Sequence, residues 1–158
     1  MHINLYREAY IYLLFRFFFC VMNKITVTAL DRKFNCYVKP ISAIARKIFL
    51  LLKKNGYSFD ICLVGNSVIR KINRTYRKKD KVTNVLSFCE PENFIGAPSK
   101  YKYLGEIYLG LDFIKANNQD LKLMITHGTL HLLGYDHETE KDRVKMEKKE
   151  RLILSNMG

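Results

Sequence analysis

Apolar and polar positions alternate through KITVTAL (24–30), with Ile25, Val27 and Ala29 set against Thr26 and Thr28, and this pattern predicts a strand. From Ile41 to Lys54 the period changes. Ile41, Ile44, Ile48, Leu51 and Leu52 recur at helical spacing, with Pro40 just before the run and Gly56 just past it, so a helix bounded by both is predicted. SFDICLVG (58–65) reads as a second strand, NSVIRKINRTYR (66–77) as a helix capped by Asn66, and TNVLSF (83–88) as a third strand. CEPENFIGAPSKYKY (89–103) holds two of the three prolines and is expected to be a loop, the most mobile part of the chain. LGEIYLGL (104–111) predicts a fourth strand. LKLMITHGTLHLL (121–133) is apolar on most sides, the mark of a helix that runs through a core. TEKDRVKMEKKERLIL (139–154) is a charged helix, with Val144, Met146, Leu152 and Ile153 expected to pack. The order β, α, β, α, β, β, α, α contains no repeat and no linker. It predicts one α/β (α+β) domain with a central mixed sheet of about four strands and helices around it.

One stretch stands apart. AYIYLLFRFFFCVM (9–22) is apolar for about a dozen residues but carries Arg16 in its middle, and a spanning helix needs roughly 20 apolar residues. It lacks the basic lead and small-residue cleavage site of a signal peptide. Met22 begins an ordinary first strand, so residues 1–21 are expected to be an upstream extension and 22–158 the domain. No stable membrane association is expected; a peripheral anchor is the other reading of the apolar stretch.

Length and charge narrow the class. The 158 residues, 48% apolar and 27% charged, suffice for a real core. The 27 Lys+Arg against 15 Asp+Glu give +12, and removing residues 1–21 changes this only to +11. The surplus belongs to the domain and suggests a polyanionic partner, the alternative being charge that serves solubility. The four cysteines are widely spaced with no C-x-x-C pair, which argues against a disulfide framework and a Cys-ligated metal. Reduced, buried thiols in a cytoplasmic protein are expected.

Three of the four histidines fall in HGTLHLLGYDH (127–137), at His127, His131 and His137, the H-x-x-x-H-x-x-G-x-x-H spacing of a three-histidine zinc site. Residues four apart share a helix face, so His127 and His131 can converge on one ion. Gly134 suits the left-handed turn past a helix end, and the chain can then return with His137 as the third corner. Three protein ligands leave a fourth position open, the catalytic rather than the structural arrangement; zinc suits imidazole, with nickel and copper as the competing ions. Proteases with this spacing carry a glutamate base after the first histidine, and here that position is Gly128.

RKINRTYRKKDK (70–81) is the second concentration of chemistry. Seven of its twelve residues are basic: Arg70, Lys71, Arg74, Arg77, Lys78, Lys79 and Lys81. A solvated helix end is the ordinary reading; beside a metal centre in a +12 chain, a phosphate-binding ridge accounts for more of the pattern.

NRTYRKKDKVTNVLSF (73–88) and HGTLHLLGYDH (127–137), with LGEI (104–107) between them, resemble the YbeY family of metal-dependent endoribonucleases. The likeness covers about residues 60–158, with 24–59 compatible. It implies an α/β fold with a central sheet, one Zn2+ held by His127, His131 and His137, and Arg77 as the functional arginine beside the metal. It further implies single-strand-specific cleavage in small-subunit ribosomal RNA maturation and ribosome quality control. The implied partners are single-stranded and ribosomal RNA, the small ribosomal subunit and its assembly factors. The chain departs from the family at Val82, where proline is usual, and at Glu106, where aspartate is usual.

The missing glutamate bears on mechanism. Peptide hydrolysis needs a base for water and an acid for the amine, whereas phosphodiester cleavage rests more on neutralising phosphoryl charge. A zinc ribonuclease with Arg77 as electrostatic catalyst is therefore expected, with Gly128 leaving room for substrate and Asp136 or Glu138 orienting a ligand histidine. Water and an RNA 2′-hydroxyl both remain open as nucleophile. A metalloprotease is the first rival, and Gly128 argues against it. An RNA-binding assembly factor with a structural metal is the second.

Overall fold

The alternating stretches pair with one another and the periodic ones cover them. The computed structural model describes residues 22–91 and 99–158. Its elements run β1 (Lys24–Ala29), α1 (Asn35–Leu51), β2 (Tyr57–Val64), α2 (Asn66–Arg77), β3 (Val85–Cys89), β4 (Lys102–Gly110), α3 (Leu111–Ala116), α4 (Leu121–Leu132) and α5 (Glu140–Ser155). The strands form one mixed sheet in the order β1-β2-β4-β3. β1, β2 and β4 are parallel, and β3 lies antiparallel to β4 at the edge.

Strand alternation sends Ile25, Phe59, Ile61, Leu63, Ile107 and Leu109 to one face, where they are buried with Ile41, Ala45, Ile48 and Phe49 of α1 and Ile125 and Leu130 of α4. Phe49 stacks on Phe59 with ring centres 5.2 Å apart. Each large side chain so buried contributes roughly 1.5–3 kcal/mol. The other face carries a smaller cluster, Val64, Ile69 and Leu86, with Ile72, Val82, Phe88 and Tyr108 packed on it under α2. The two layers divide the chemistry: α4, with the histidines, lies on one side of the sheet, and α2, with the basic run, on the other.

Five expectations need correction. α2 has Gly65 at its cap position, and Asn66 is its first helical residue with no capping bond from the side chain. α1 begins at Asn35, reached through a 3-10 turn at Arg32–Phe34, so Pro40 lies inside the helix. Phe34, buried at the entry, anchors the early start. The bond that Pro40 cannot make would go to Cys36; both residues are exposed, where water can serve that carbonyl. The helix also ends three residues early, at Leu51, because Lys53 takes a φ of +52°. In α5, Met146 and Ile153 are buried, but Val144 and Leu152 are 50% and 56% exposed, so the packed stripe has the other helical phase. Cys36 and Cys89 are exposed rather than buried. The helix α3 went unpredicted, being too short to display a period. Residues 1–21 and 92–98, and with them the apolar stretch and the middle of the predicted loop, lie outside the described residues. Among the described residues no helix is long and apolar enough to cross a membrane.

The exit from α2 is tightly made. Asn73 is 3% exposed; its side chain donates to the Lys81 carbonyl at 2.8 Å, and its own carbonyl accepts from the Lys79 N–H at 3.3 Å. Lys78 takes a left-handed φ of +58° between them. One buried amide thus folds residues 78–81 back on the helix. Replacing it, Asn73→Ala, leaves the Lys81 carbonyl without that donor and should lower stability by about 1–2 kcal/mol. A lower urea midpoint at unchanged m-value is the expected result.

Candidate metal centre

His127 and His131 stand one turn apart on α4, their ring centres 4.6 Å apart and their Nε2 atoms 3.1 Å apart. The helix stops at Leu132. Beyond it, Gly134 adopts φ +83°; its N–H donates to the His131 carbonyl at 2.9 Å, and the Tyr135 N–H donates to the Leu130 carbonyl at 3.0 Å. This paired closure needs a residue that tolerates the left-handed region. It turns the chain so that the His137 ring comes within 5.7 Å of His127 and 5.0 Å of His131, centre to centre. The Asp136 carboxylate accepts from the His137 N–H at 2.7 Å and holds the returning segment.

One ring nitrogen from each histidine lies within 4.8 Å of the others. A tetrahedral zinc with bonds of about 2.0–2.1 Å sets its ligand atoms about 3.4 Å apart. His127 and His131 are already near that spacing, and rotation of the exposed His137 side chain brings in the third. Three convergent imidazoles, with no cysteine among them, fit a first-row divalent ion.

Burial, and then the neighbouring rings of His127 and His131's other partner His137, lower the pKa of His131. The residue therefore favours the neutral form, the one that coordinates a metal.

The group that orients His127 is one that local spacing does not reveal. Glu150 reaches from α5 to place Oε1 2.8 Å from His127 Nδ1, and its side chain is only 13% exposed. A proton on Nδ1 donated to this carboxylate leaves Nε2 free to face the metal position. Asp136 does not play this part, being 4.0 Å from the Nδ1 atoms of His131 and His137. The available signal was the stripe Met146, Glu150, Ile153, a single acid at helical spacing between the two residues that α5 buries.

Gly128 does not open space beside the histidines. It is buried, and a Cβ there would come within 3.0 Å of Ile107 Cγ2 and 3.1 Å of Ser87 Oγ. The glycine lets α4 lie close on the sheet, and the protease glutamate has no room at this position.

Arg77, in the last turn of α2, donates to the Ser87 carbonyl at 3.2 Å, with its guanidinium carbon 5.8 Å from the centre of the Phe88 ring. Ser87 Oγ in turn donates to the Gly128 carbonyl at 3.4 Å, and the Cys89 thiol lies 3.4 Å from the His131 carbonyl. The edge strand β3 therefore joins the arginine to the histidine helix. Burial pushes the Cys89 thiol up, Arg77 draws it down and Asp136 raises it, so both charges act at this point.

Lys71, Arg74, Lys78, Lys79 and Lys81 are exposed along α2 and the turn after it. Arg70 is engaged differently: its guanidinium meets the Asp80 carboxylate through two bonds, of 2.9 and 3.0 Å. Glu106 points to the sheet face opposite Ile107 and accepts from the Tyr108 hydroxyl at 2.7 Å, so it stands apart from the histidines.

The profile of one protein family, described as Endoribonuclease YbeY, matches residues 26–158. The chain belongs to the YbeY endoribonuclease family. A YbeY endoribonuclease of Sulfurihydrogenibium sp. strain YO3AOP1 is 40% identical over 116 residues, 68% of this chain and 74% of that one. Those of Ehrlichia chaffeensis and Neorickettsia sennetsu are 37% and 33% identical, over 86% and 98% of their own lengths and 79% and 87% of this chain. A Thermotoga maritima protein of known solution structure, TM1509, superposes with a TM-score of 0.49 at 22% identity, covering 86% of this chain and 91% of that one. Membership reaches back through α1 and most of β1, further than the motifs alone extend.

The Glu150 contact makes a direct prediction. Glu150→Gln keeps the shape and removes the charge, and should weaken zinc binding by roughly 10- to 100-fold while the protein stays folded. Competition with a chromophoric chelator checks this, and unchanged affinity would remove Glu150 from the centre.

Proposed function

We propose that this chain is a zinc-dependent endoribonuclease specific for single-stranded RNA, acting in the cytoplasm in small-subunit ribosomal RNA maturation and ribosome quality control. The observation that carries the reading is the convergence of three imidazoles, two on α4 and one on the turn after it, with Arg77 bonded to the strand that packs against that helix. His127, His131 and His137 would hold one ion per chain, and Glu150 keeps His127 in the tautomer that presents Nε2. When bound, zinc supplies Lewis-acid chemistry, polarising a phosphoryl oxygen and making water more acidic.

The remaining work falls to the chain's own side chains. Arg77 clamps a non-bridging phosphoryl oxygen and stabilises the charge that develops as the bond breaks. It is exposed, and among the described residues it meets a backbone carbonyl and the Phe88 ring but no carboxylate, which leaves its charge available to a phosphate. Lys71, Arg74, Lys78, Lys79 and Lys81 follow the backbone on either side of the cut, with Arg70 bracing the turn through Asp80. Absence of a carboxylate at position 128 suits this chemistry, which needs charge neutralisation and alignment more than a base. Partners of the domain are then ribosomal RNA, the small ribosomal subunit and its assembly factors. The exposed basic ridge would bind RNA with or without cleavage, and this favours as the second reading an assembly factor whose metal is structural.

A labelled single-stranded RNA distinguishes the two readings. Wild type should carry about one zinc and cut, and His131→Ala should lose both metal and cutting. Arg77→Ala should keep its zinc and lose about 10²- to 10³-fold in rate. Cleavage by Arg77→Ala at the wild-type rate would remove the arginine from catalysis. Zinc and RNA binding without cleavage by wild type would favour the assembly factor.

A further inference from the structure

Next to Arg77 stands an aromatic side chain that the chemistry above does not use. Tyr76 is 67% exposed, although it is fixed from behind: its ring meets Phe88 edge-on, centres 5.2 Å apart at 61°. Phe88 meets Tyr108 in the same way, at 5.9 Å and 77°, and the Tyr108 hydroxyl is tied to Glu106 at 2.7 Å. Phe88 and Tyr108 pack on the buried cluster of Val64, Ile69 and Leu86. Three rings thus run from the second core to the surface, and the last presents a ring to solvent with little freedom left to lose. Arg77 follows it in the chain and, like Arg74, is exposed.

Position gives this ring a use. Tyr76 lies on the α2 side of β3 and the histidines on the α4 side, while Arg77 reaches the Ser87 carbonyl of the edge strand between them. A nucleic acid strand crossing that edge would lay its phosphate against Arg77 and turn a base toward Tyr76. Only an unpaired base offers its ring face for stacking; in a duplex both faces are covered by neighbouring pairs. We propose that Tyr76 is a stacking platform for an unpaired base of the substrate, and that it helps confine the enzyme to single strands. The proposal rests on the RNA reading given above and names a residue that selects the strand.

The chain contains no tryptophan, so Tyr76→Trp creates a single fluorescent reporter at the platform. The zinc-loaded variant is titrated with a fluorescein-labelled 2′-O-methyl single strand of about ten nucleotides, with the same strand made abasic, and with its duplex. Anisotropy of the label reports binding independently of the indole. Quenching by the single strand, and none by the abasic strand or the duplex, is the expected result. In parallel, Tyr76→Ala should bind the strand about tenfold more weakly and show a raised KM for RNA at little-changed kcat, with Tyr76→Phe close to wild type. A strand that binds by anisotropy without changing the indole emission overturns the stacking and leaves the RNA reading standing. So does Tyr76→Ala binding as tightly as wild type. Failure of wild type to bind the strand at all overturns the RNA reading and the platform together.

Discussion

α4 has to be two things at once, a core helix pressed on the sheet and the carrier of two of the three clustered histidines, and the close contact at Gly128 reconciles them. With no side chain at 128, the helix approaches Ile107 and Ser87 directly, and its Ile125 and Leu130 fill the main core. Successive side chains on a helix are set about 100° apart, so His127 and His131 occupy the stripe left over, turned toward α5. Fixing the helix fixes both imidazoles. Gly134 and Glu150 complete the arrangement, one by returning the chain with His137 and the other by meeting His127 at Nδ1. The three histidines form a compact cluster because α4 lies close on the sheet and Gly134 turns the chain back past its end.

The edge strand has a comparable double role. β3 is hydrogen-bonded to the sheet through β4 only, so Ser87 can accept from Arg77 with its carbonyl while its hydroxyl reaches Gly128. Side chains of β3 alternate, sending Leu86 and Phe88 toward α2 and Ser87 and Cys89 toward α4. Two layers that share no core meet along this strand, and the basic helix is brought to the metal helix with one strand's thickness between them.

How far this could be seen in advance depended on how local each feature is. The histidine cluster was legible because its logic lies within eleven residues: a helical repeat of four, a glycine and a return. The four strands were legible because each is a short β-branched or apolar run bounded by polar or turn residues, and the core helix because it is apolar on most sides. Glu150 was not, since its contact depends on how α5 docks, and a helix as charged as Glu140–Ser155 offers several phases that look alike; the same ambiguity put Val144 and Leu152 inside when they are exposed. Pro40 misled because its cost depends on exposure, which sequence does not state. Gly128 was read as space beside a ligand, whereas its neighbours belong to strands far along the chain. The pairing of Arg70 with Asp80 shows the same limit within a single basic run, where charge counting sees seven equivalent cations and the fold pairs one of them with a carboxylate.

The central claim is that three histidines on one turn-and-return of chain hold a metal and that no other side chain type joins them. X-ray absorption at the zinc edge of purified protein tests it most directly. The account predicts about three imidazole nitrogens and one oxygen near 2.0–2.1 Å, with no sulfur in the first sphere. A thiolate distance near 2.3 Å, which would bring in Cys89, or a sphere with a single imidazole, would contradict it.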